Sequence, residues 1–121
     1  MTTALVIEDN ENNMILICRI LNRAGYETLQ AITGRQGFEA ALEHKPDFII
    51  LDIQLPDILG TEVLEMIQRS ELADLVPVIA MTSYAMAGDR EKLLAAGCAG
   101  YIEKPIDPMQ VVNQIEQVIN R

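Results

Sequence analysis

The 121 residues include nine Lys and Arg against 18 Asp and Glu, a net charge of −9, and half of them are hydrophobic. Such a chain can bury one continuous core, so disorder is not expected. Nucleic-acid binding needs clustered basic residues to displace phosphate counterions, which this acidic chain does not offer. No apolar run approaches the ~20 residues that cross a bilayer.

Met1-Thr2-Thr3-Ala4 has no basic leader and runs straight into strand pattern, which predicts a soluble cytoplasmic protein with no membrane segment. Cys18 and Cys98 are too few and too far apart for a disulfide framework or a metal site and read as small packing residues. The lone His44 lies at a predicted helix end, where a cation suits the helix dipole.

Ala4-Leu5-Val6-Ile7 is a short apolar run closed by Glu8-Asp9-Asn10, the pattern of a buried strand. A helix is predicted from Glu11 to Ala24, with Gly25 as its left-handed stop. Its apolar residues fill two stripes, Leu16, Ile20 and Ala24 with Ile17 beside them, and Met14, Cys18 and Leu21. A helix lying on a sheet needs one stripe. The second stripe, Met14, Cys18 and Leu21, is either a docking surface for a partner or is covered by a neighbouring helix.

Glu27-Thr28-Leu29-Gln30-Ala31 alternates, as suits a strand nearer the sheet edge. Thr33 with Gln36 forms a capping box that opens a helix to about His44. Phe48-Ile49-Ile50-Leu51 then runs abruptly into Asp52, followed by Ile53-Gln54-Leu55-Pro56-Asp57. A loop through Pro56 and Gly60 feeds a helix over Thr61 to Arg69. Val78-Ile79-Ala80-Met81 ends in Thr82-Ser83, and a helix follows from about Gly88 to Ala96. Gly100-Tyr101-Ile102-Glu103 ends in Lys104-Pro105, and Asp107 with Pro108 opens a last helix. Five strands alternating with five helices predict a single α/β domain over residues 1–121. It is a (βα)5 doubly wound, five-stranded parallel sheet with right-handed crossovers.

In such sheets ligands sit beyond the carboxyl ends of the strands. Four predicted strands end in residues that carry chemistry: Glu8-Asp9, Asp52, Thr82 and Lys104. The second ends near Ala31-Ile32 and contributes none, which the order 2-1-3-4-5 would explain by placing it at the edge. Neighbouring strands lie about 4.8 Å apart, so Asp9 and Asp52 would come within reach of one ion. Two carboxylates about 4 Å apart repel by roughly 4 kcal/mol at an effective dielectric of 20. The cluster is tolerable if one acid stays protonated or a divalent cation sits among them, and hard oxygen ligands suit Mg²⁺, with Mn²⁺ as a substitute. Lys104 and Thr82 could hold phosphoryl oxygens, and Asp52 could act as a nucleophile towards phosphorus.

From Leu5-Val6-Ile7-Glu8-Asp9 through Leu51-Asp52-Ile53-Gln54-Leu55-Pro56 and Gly60 to Met81-Thr82 and Tyr101-Ile102-Glu103-Lys104-Pro105, the chain resembles the receiver domains of two-component response regulators. These have the CheY-like, flavodoxin-like fold that also takes the order 2-1-3-4-5. The resemblance implies that Asp52 is the phosphoacceptor, that Asp9, Asp52 and the backbone carbonyl of Gln54 hold Mg²⁺, and that Glu8 acts through a water. It also implies that Thr82 and Lys104 contact the phosphoryl group, that Thr82 and Tyr101 form the switch, and that Lys104-Pro105 is a cis peptide. Gln54 and Tyr84, each two residues past a site residue, would tune the phosphoryl lifetime.

Glu8-Asp9-Asn10-Glu11-Asn12-Asn13 and Thr82-Ser83-Tyr84-Ala85-Met86-Ala87-Gly88-Asp89 look like receivers of hybrid histidine kinases and single-domain regulators of the DivK type. The implied partners are a sensor histidine kinase or a histidine phosphotransfer protein. With no effector domain expected in this chain, output would pass by protein contact through the fourth helix, fifth strand and last helix near Tyr101. The expected function is a phosphoacceptor receiver, not an enzyme beyond its own phosphorylation and dephosphorylation. Its rivals are a small phosphohydrolase working through an aspartyl phosphate, a flavodoxin-like redox protein, and a receiver-shaped adaptor that is never phosphorylated. The first would want an Asp-x-Asp pair where this chain has Asp52-Ile53-Gln54. The second would want a hydroxyl- and Gly-rich loop in place of Glu8-Asp9-Asn10.

Overall fold

The computed structural model describes residues 2–83 and 87–120, with side chains for 2–83 and 91–120. Among the described residues strands and helices alternate: β1 (Thr3–Ile7), α1 (Glu11–Arg23), β2 (Glu27–Ala31), α2 (Gly34–His44), β3 (Phe48–Asp52), α3 (Gly60–Gln68), β4 (Val78–Thr82), α4 (Ala87–Ala95), β5 (Gly100–Glu103) and α5 (Val111–Ile119). The strands pair in parallel in the order β2-β1-β3-β4-β5. The sequence-based expectation for the order, including β2 at an edge, is met.

Strand residues alternate between two apolar layers because successive side chains point to opposite faces. Ala4, Val6, Phe48, Ile50, Ile79, Met81 and Ile102 pack with Met14, Ile17, Cys18 and Leu21 of α1 and Val111 and Ile115 of α5. Leu5, Ile7, Ile49, Leu51, Val78 and Ala80 pack with α2, α3 and Leu93 of α4. The central strands β3 and β4 are buried along their whole length, as their unbroken apolar runs require. On the first layer Tyr26 meets Phe48 edge-to-face, with ring centroids 5.5 Å apart.

Helix ends follow local chemistry. Asn10 accepts from the Asn13 N–H at the start of α1, and Gly25 stops the helix at φ +95. Thr33 Oγ1 accepts from the Gln36 N–H, but Gln36 Oε1 reaches the Ile32 N–H, one residue earlier than a reciprocal capping box would place it. At α5 the expected start at Pro108 shifts to Val111. Asp107 Oδ1 accepts from Met109 N–H, while Gln110 and Val111 N–H share the Asp107 carbonyl, so residues 108–110 form a tightened turn ahead of the helix.

The rotation of α1 overturns one expectation. Met14, Cys18 and Leu21 are buried against the sheet with Ile17, while Leu16 and Ile20 are only partly buried. Positions 14, 17, 18 and 21 form the i, i+3, i+4, i+7 stripe that one sheet-facing helix surface needs. These side chains are therefore core and do not form a docking surface. The large apolar residue that α1 exposes is Ile15, 47% accessible.

Candidate functional site

β1 and β3 are neighbours with Ile7 opposite Leu51, so the residues just past that pair, Glu8 and Asp52, come side by side at the carboxyl edge. β4 lies on the other side of β3, and the ladder continues past the strand ends through Ile53 N–H to the Met81 carbonyl and Lys104 N–H to the Thr82 carbonyl. Residues remote in sequence thereby converge. One carboxylate oxygen from each of Glu8, Asp9 and Asp52 lies within 4.8 Å of the others. Thr82 is buried at the end of β4, and Lys104 reaches in from the end of β5.

Burial separates the acids. Glu8 and Asp52 are buried and Asp9 is exposed. Lys104 Nζ bridges the two buried acids, 3.0 Å from Glu8 Oε1 and 3.2 Å from Asp52 Oδ2. Asp52 Oδ1 accepts from the Gln54 backbone N–H at 3.0 Å. Glu8 Oε2 is buried without a hydrogen-bond partner among the described residues. Burial first, then the adjacent Asp52, push the Glu8 carboxyl up to about 7 against the downward pull of Lys104. Burial alone would lower the Lys104 ammonium, but Glu8 and Asp52 outweigh it and the net shift is upward.

An orphaned buried carboxylate oxygen beside two further acids is costly unless a proton or a cation shares the site. The donors are all oxygen, and Asp9 opens the cluster to solvent. That set fits a hard divalent cation which keeps part of its water shell.

The loop after Asp52 is tightly seated. Gly60 N–H donates to the Ile53 carbonyl at 2.8 Å. A Cβ on Gly60 would stand 2.5 Å from Ile53 Cα and 2.6 Å from the Asp52 carbonyl oxygen. Only glycine lets α3 start this close to the acid-bearing backbone. Farther along, Asp57 Oδ1 accepts from Gly34 N–H at 2.8 Å and Asp57 Oδ2 from Arg35 N–H at 3.0 Å. Asp57 lies in the loop predicted through Pro56 and Gly60, where no local signal marks so distant a partner.

Lys104-Pro105 is cis. Tyr101 is half-buried on β5 beside a surface cavity of about 380 Å³, lined also by Leu94 of α4 and Gln114, Gln117 and Val118 of α5. Tyr84 lies outside the described residues.

A parallel sheet in this order, with acids at the ends of β1 and β3 and a lysine at the end of β5, defines a receiver. Residues 4–116 match the model of the response regulator receiver domain, and the chain belongs to that family. It is 38% identical over 117 residues to the polar-differentiation response regulator DivK of Brucella ovis, covering 97% of this chain and 95% of the relative. Among solved structures it resembles the receiver domain of the sensor histidine kinase PA1611 from Pseudomonas aeruginosa PAO1, which holds a magnesium ion in its active-site cleft. That match has a TM-score of 0.90 at 31% identity and covers 99% of this chain and 98% of the other. The fold alone is shared with CheY4 of Vibrio cholerae, with a TM-score of 0.92 at 24% identity over 98% of both chains.

The family is one of signalling proteins that work with histidine kinases and phosphotransfer proteins, and its members carry an acidic pocket like that of Glu8, Asp9 and Asp52. No helix among the described residues is long and apolar enough to cross a membrane.

Proposed function

We propose that Asp52 is the phosphoacceptor of a phosphorelay. The carrying observation is the Asp52 carboxylate, buried at the end of β3 with Lys104 Nζ at 3.2 Å and carboxylate oxygens of Glu8 and Asp9 within 4.8 Å. Asp52 attacks the phosphorus of a phosphohistidine on a sensor kinase or phosphotransfer protein. A P–O bond forms, the P–N bond breaks, and the imidazole leaves with its electron pair. Asp9, Asp52 and the Gln54 backbone carbonyl would hold Mg²⁺, with Glu8 acting through a water. The bound cation would supply charge neutralisation for the acids and the incoming phosphoryl oxygens. Mn²⁺, with the same oxygen preference, is the proposed substitute.

Lys104 and Thr82 contact the phosphoryl oxygens. The transferred group adds about −1.5 to −2 of charge. Their rearrangement around it shifts a two-state equilibrium that Tyr101 reports at the α4–β5–α5 surface, where the downstream protein binds. Water later attacks the acyl phosphate, and Gln54 and Tyr84 set how fast. Smaller side chains at either position are expected to change the lifetime of the phosphoprotein, and unchanged decay would remove that role. The proposed compartment is the cytoplasm, where the free thiols Cys18 and Cys98 stay reduced.

The test is labelling by a small-molecule phosphodonor with and without Mg²⁺, comparing wild type with Asp52→Asn. Label is expected in the wild type alone and only with the cation. Label kept by the variant, or absent from the wild type, overturns the reading.

A further inference from the structure

Beyond the ladder bond from Ile53 N–H to the Met81 carbonyl, the segment between Asp52 and α3 is held at three points. At its start, Gln54 N–H donates to Asp52 Oδ1. At its end, Gly60 N–H donates to the Ile53 carbonyl, with the Gly60 α-carbon against the Asp52–Ile53 backbone. In the middle, both oxygens of Asp57 take the backbone N–H groups of Gly34 and Arg35, the first two residues of α2. The first two anchors belong to β3 and its own continuation. The third ties the loop to a different helix.

We infer that Asp57 is a positioning residue for the phosphorylation site. By fixing the middle of the loop to α2, it holds Gln54 where its N–H orients the Asp52 carboxylate and its carbonyl can serve the cation. The inference rests on the proposed role of Asp52 and its Mg²⁺.

Two further observations support it. The α2 end already has a cap of its own, because Thr33 Oγ1 accepts from Gln36 N–H at 3.1 Å. The Asp57 carboxylate takes the two N–H groups of the first turn that Thr33 leaves open, and it does so from across the loop on a helix that has a local cap as well. The join is also close: a Cβ on Gly34 would stand 2.6 Å from Ile58 Cγ1, so the residue after Asp57 packs directly on the helix start. The donors, Arg35 N–H foremost, hold the Asp57 carboxyl below its ordinary range despite an opposing desolvation, so the clamp stays charged at neutral pH. It is a charge-assisted, two-pronged contact.

Thr33→Ala and Asp57→Ala separate positioning from helix support, since each removes one cap from the same helix end and only Asp57 belongs to the loop. Mg²⁺ affinity of the unphosphorylated full chain is measured by isothermal titration, alongside thermal unfolding and the amide exchange rate of Gln54. Asp57→Ala is expected to weaken Mg²⁺ binding about tenfold, the lower end of what loss of an outer support costs a metal site. It should also speed Gln54 amide exchange. Asp57→Asn, which keeps one acceptor, should fall between Asp57→Ala and wild type. Thr33→Ala should lower the melting temperature while leaving Mg²⁺ affinity and Gln54 exchange at wild-type values. Affinity in Asp57→Ala within twofold of a Mg²⁺-binding wild type, or an equal loss in Thr33→Ala, overturns the positioning role and leaves the proposed function standing. A wild type that takes no Mg²⁺ overturns both.

Discussion

Lys104 Nζ and Glu8 Oε1 meet at 3.0 Å although 96 positions separate them in sequence. The ammonium is shared with Asp52, which leaves Glu8 with one oxygen paired and the other buried without a hydrogen-bond partner among the described residues. Without a cation to share the site, Glu8 is a carboxyl in an environment that disfavours its charge. Glu8→Gln removes that charge while keeping an oxygen for Lys104 and adding an amide that can donate towards Asp52. Without metal, the variant should be more stable than wild type by about 1–2 kcal/mol at alkaline pH, and it should bind Mg²⁺ more weakly. Urea unfolding and direct Mg²⁺ titration check the two halves, and a destabilised variant would contradict the first.

The same group sets a pH dependence. The Glu8 carboxyl rises from its ordinary 4.5 to about 7 in the folded chain, so between those values the folded state keeps a proton that the unfolded state has lost. The stabilising contribution is complete below 4.5 and disappears as pH climbs through about 7. The stability gap between Glu8→Gln and wild type should widen over that interval and then level off. Mg²⁺ loading competes with the same proton, so the apparent affinity of wild type should strengthen up to about pH 7. Unfolding and binding curves across pH test both, and flat profiles would count against them.

Gly60→Ala should be costly in a particular way. Its Cβ would run into backbone atoms of Ile53 and Asp52, which have no rotamer to adopt, so the segment carrying the acid must move. A cost of about 1–3 kcal/mol is expected for such overpacking, together with slower phosphorylation. A Cβ at Gly37 has the Ile7 side chain as its nearest neighbour, not backbone, so Gly37→Ala should lose stability while phosphorylation by a small donor stays near wild type. Equal rates in the two variants would contradict the account.

Leu21→Ala, at a fully buried position of α1, should destabilise by about 2–5 kcal/mol. Ile15→Ala should stay within about 0.5 kcal/mol of wild type. If a helical phosphodonor docks along α1, Ile15→Ala should slow transfer from the protein donor and leave phosphorylation by a small molecule unchanged. Stopped-flow transfer with each donor separates the two effects.

The strands were legible because β1, β3 and β4 are unbroken apolar runs, and the site was legible because each run stops on a residue with chemistry to offer. Glu8, Asp9, Asp52 and Thr82 follow from that one pattern, whereas Lys104 follows the mixed strand Gly100-Tyr101-Ile102-Glu103 and is picked out by its place at the end of the fifth strand. The face of α1 was not legible: both stripes carry apolar residues at helical spacing and Ile17 adjoins each. Only contact with the sheet fixes the rotation that buries Met14, Cys18 and Leu21. The start of α5 was misplaced because Asp107-Pro108 is a good opening for a helix and equally for the turn that precedes one. Asp57 escaped notice because its donors lie 22 and 23 positions back along the chain, brought near only when α2 and α3 pack together.

The alternation along the strands has a thermodynamic consequence. Leu21 and Leu64 are both fully buried, yet they belong to clusters on opposite sides of the sheet. The sheet is a partition, and a cavity opened on one side has no side chain in common with a cavity on the other. The costs of Leu21→Ala and Leu64→Ala should therefore sum in the double variant to within about 0.5 kcal/mol. One half of the interior can then be altered to tune stability while the half that supports the loop after Asp52 is left intact.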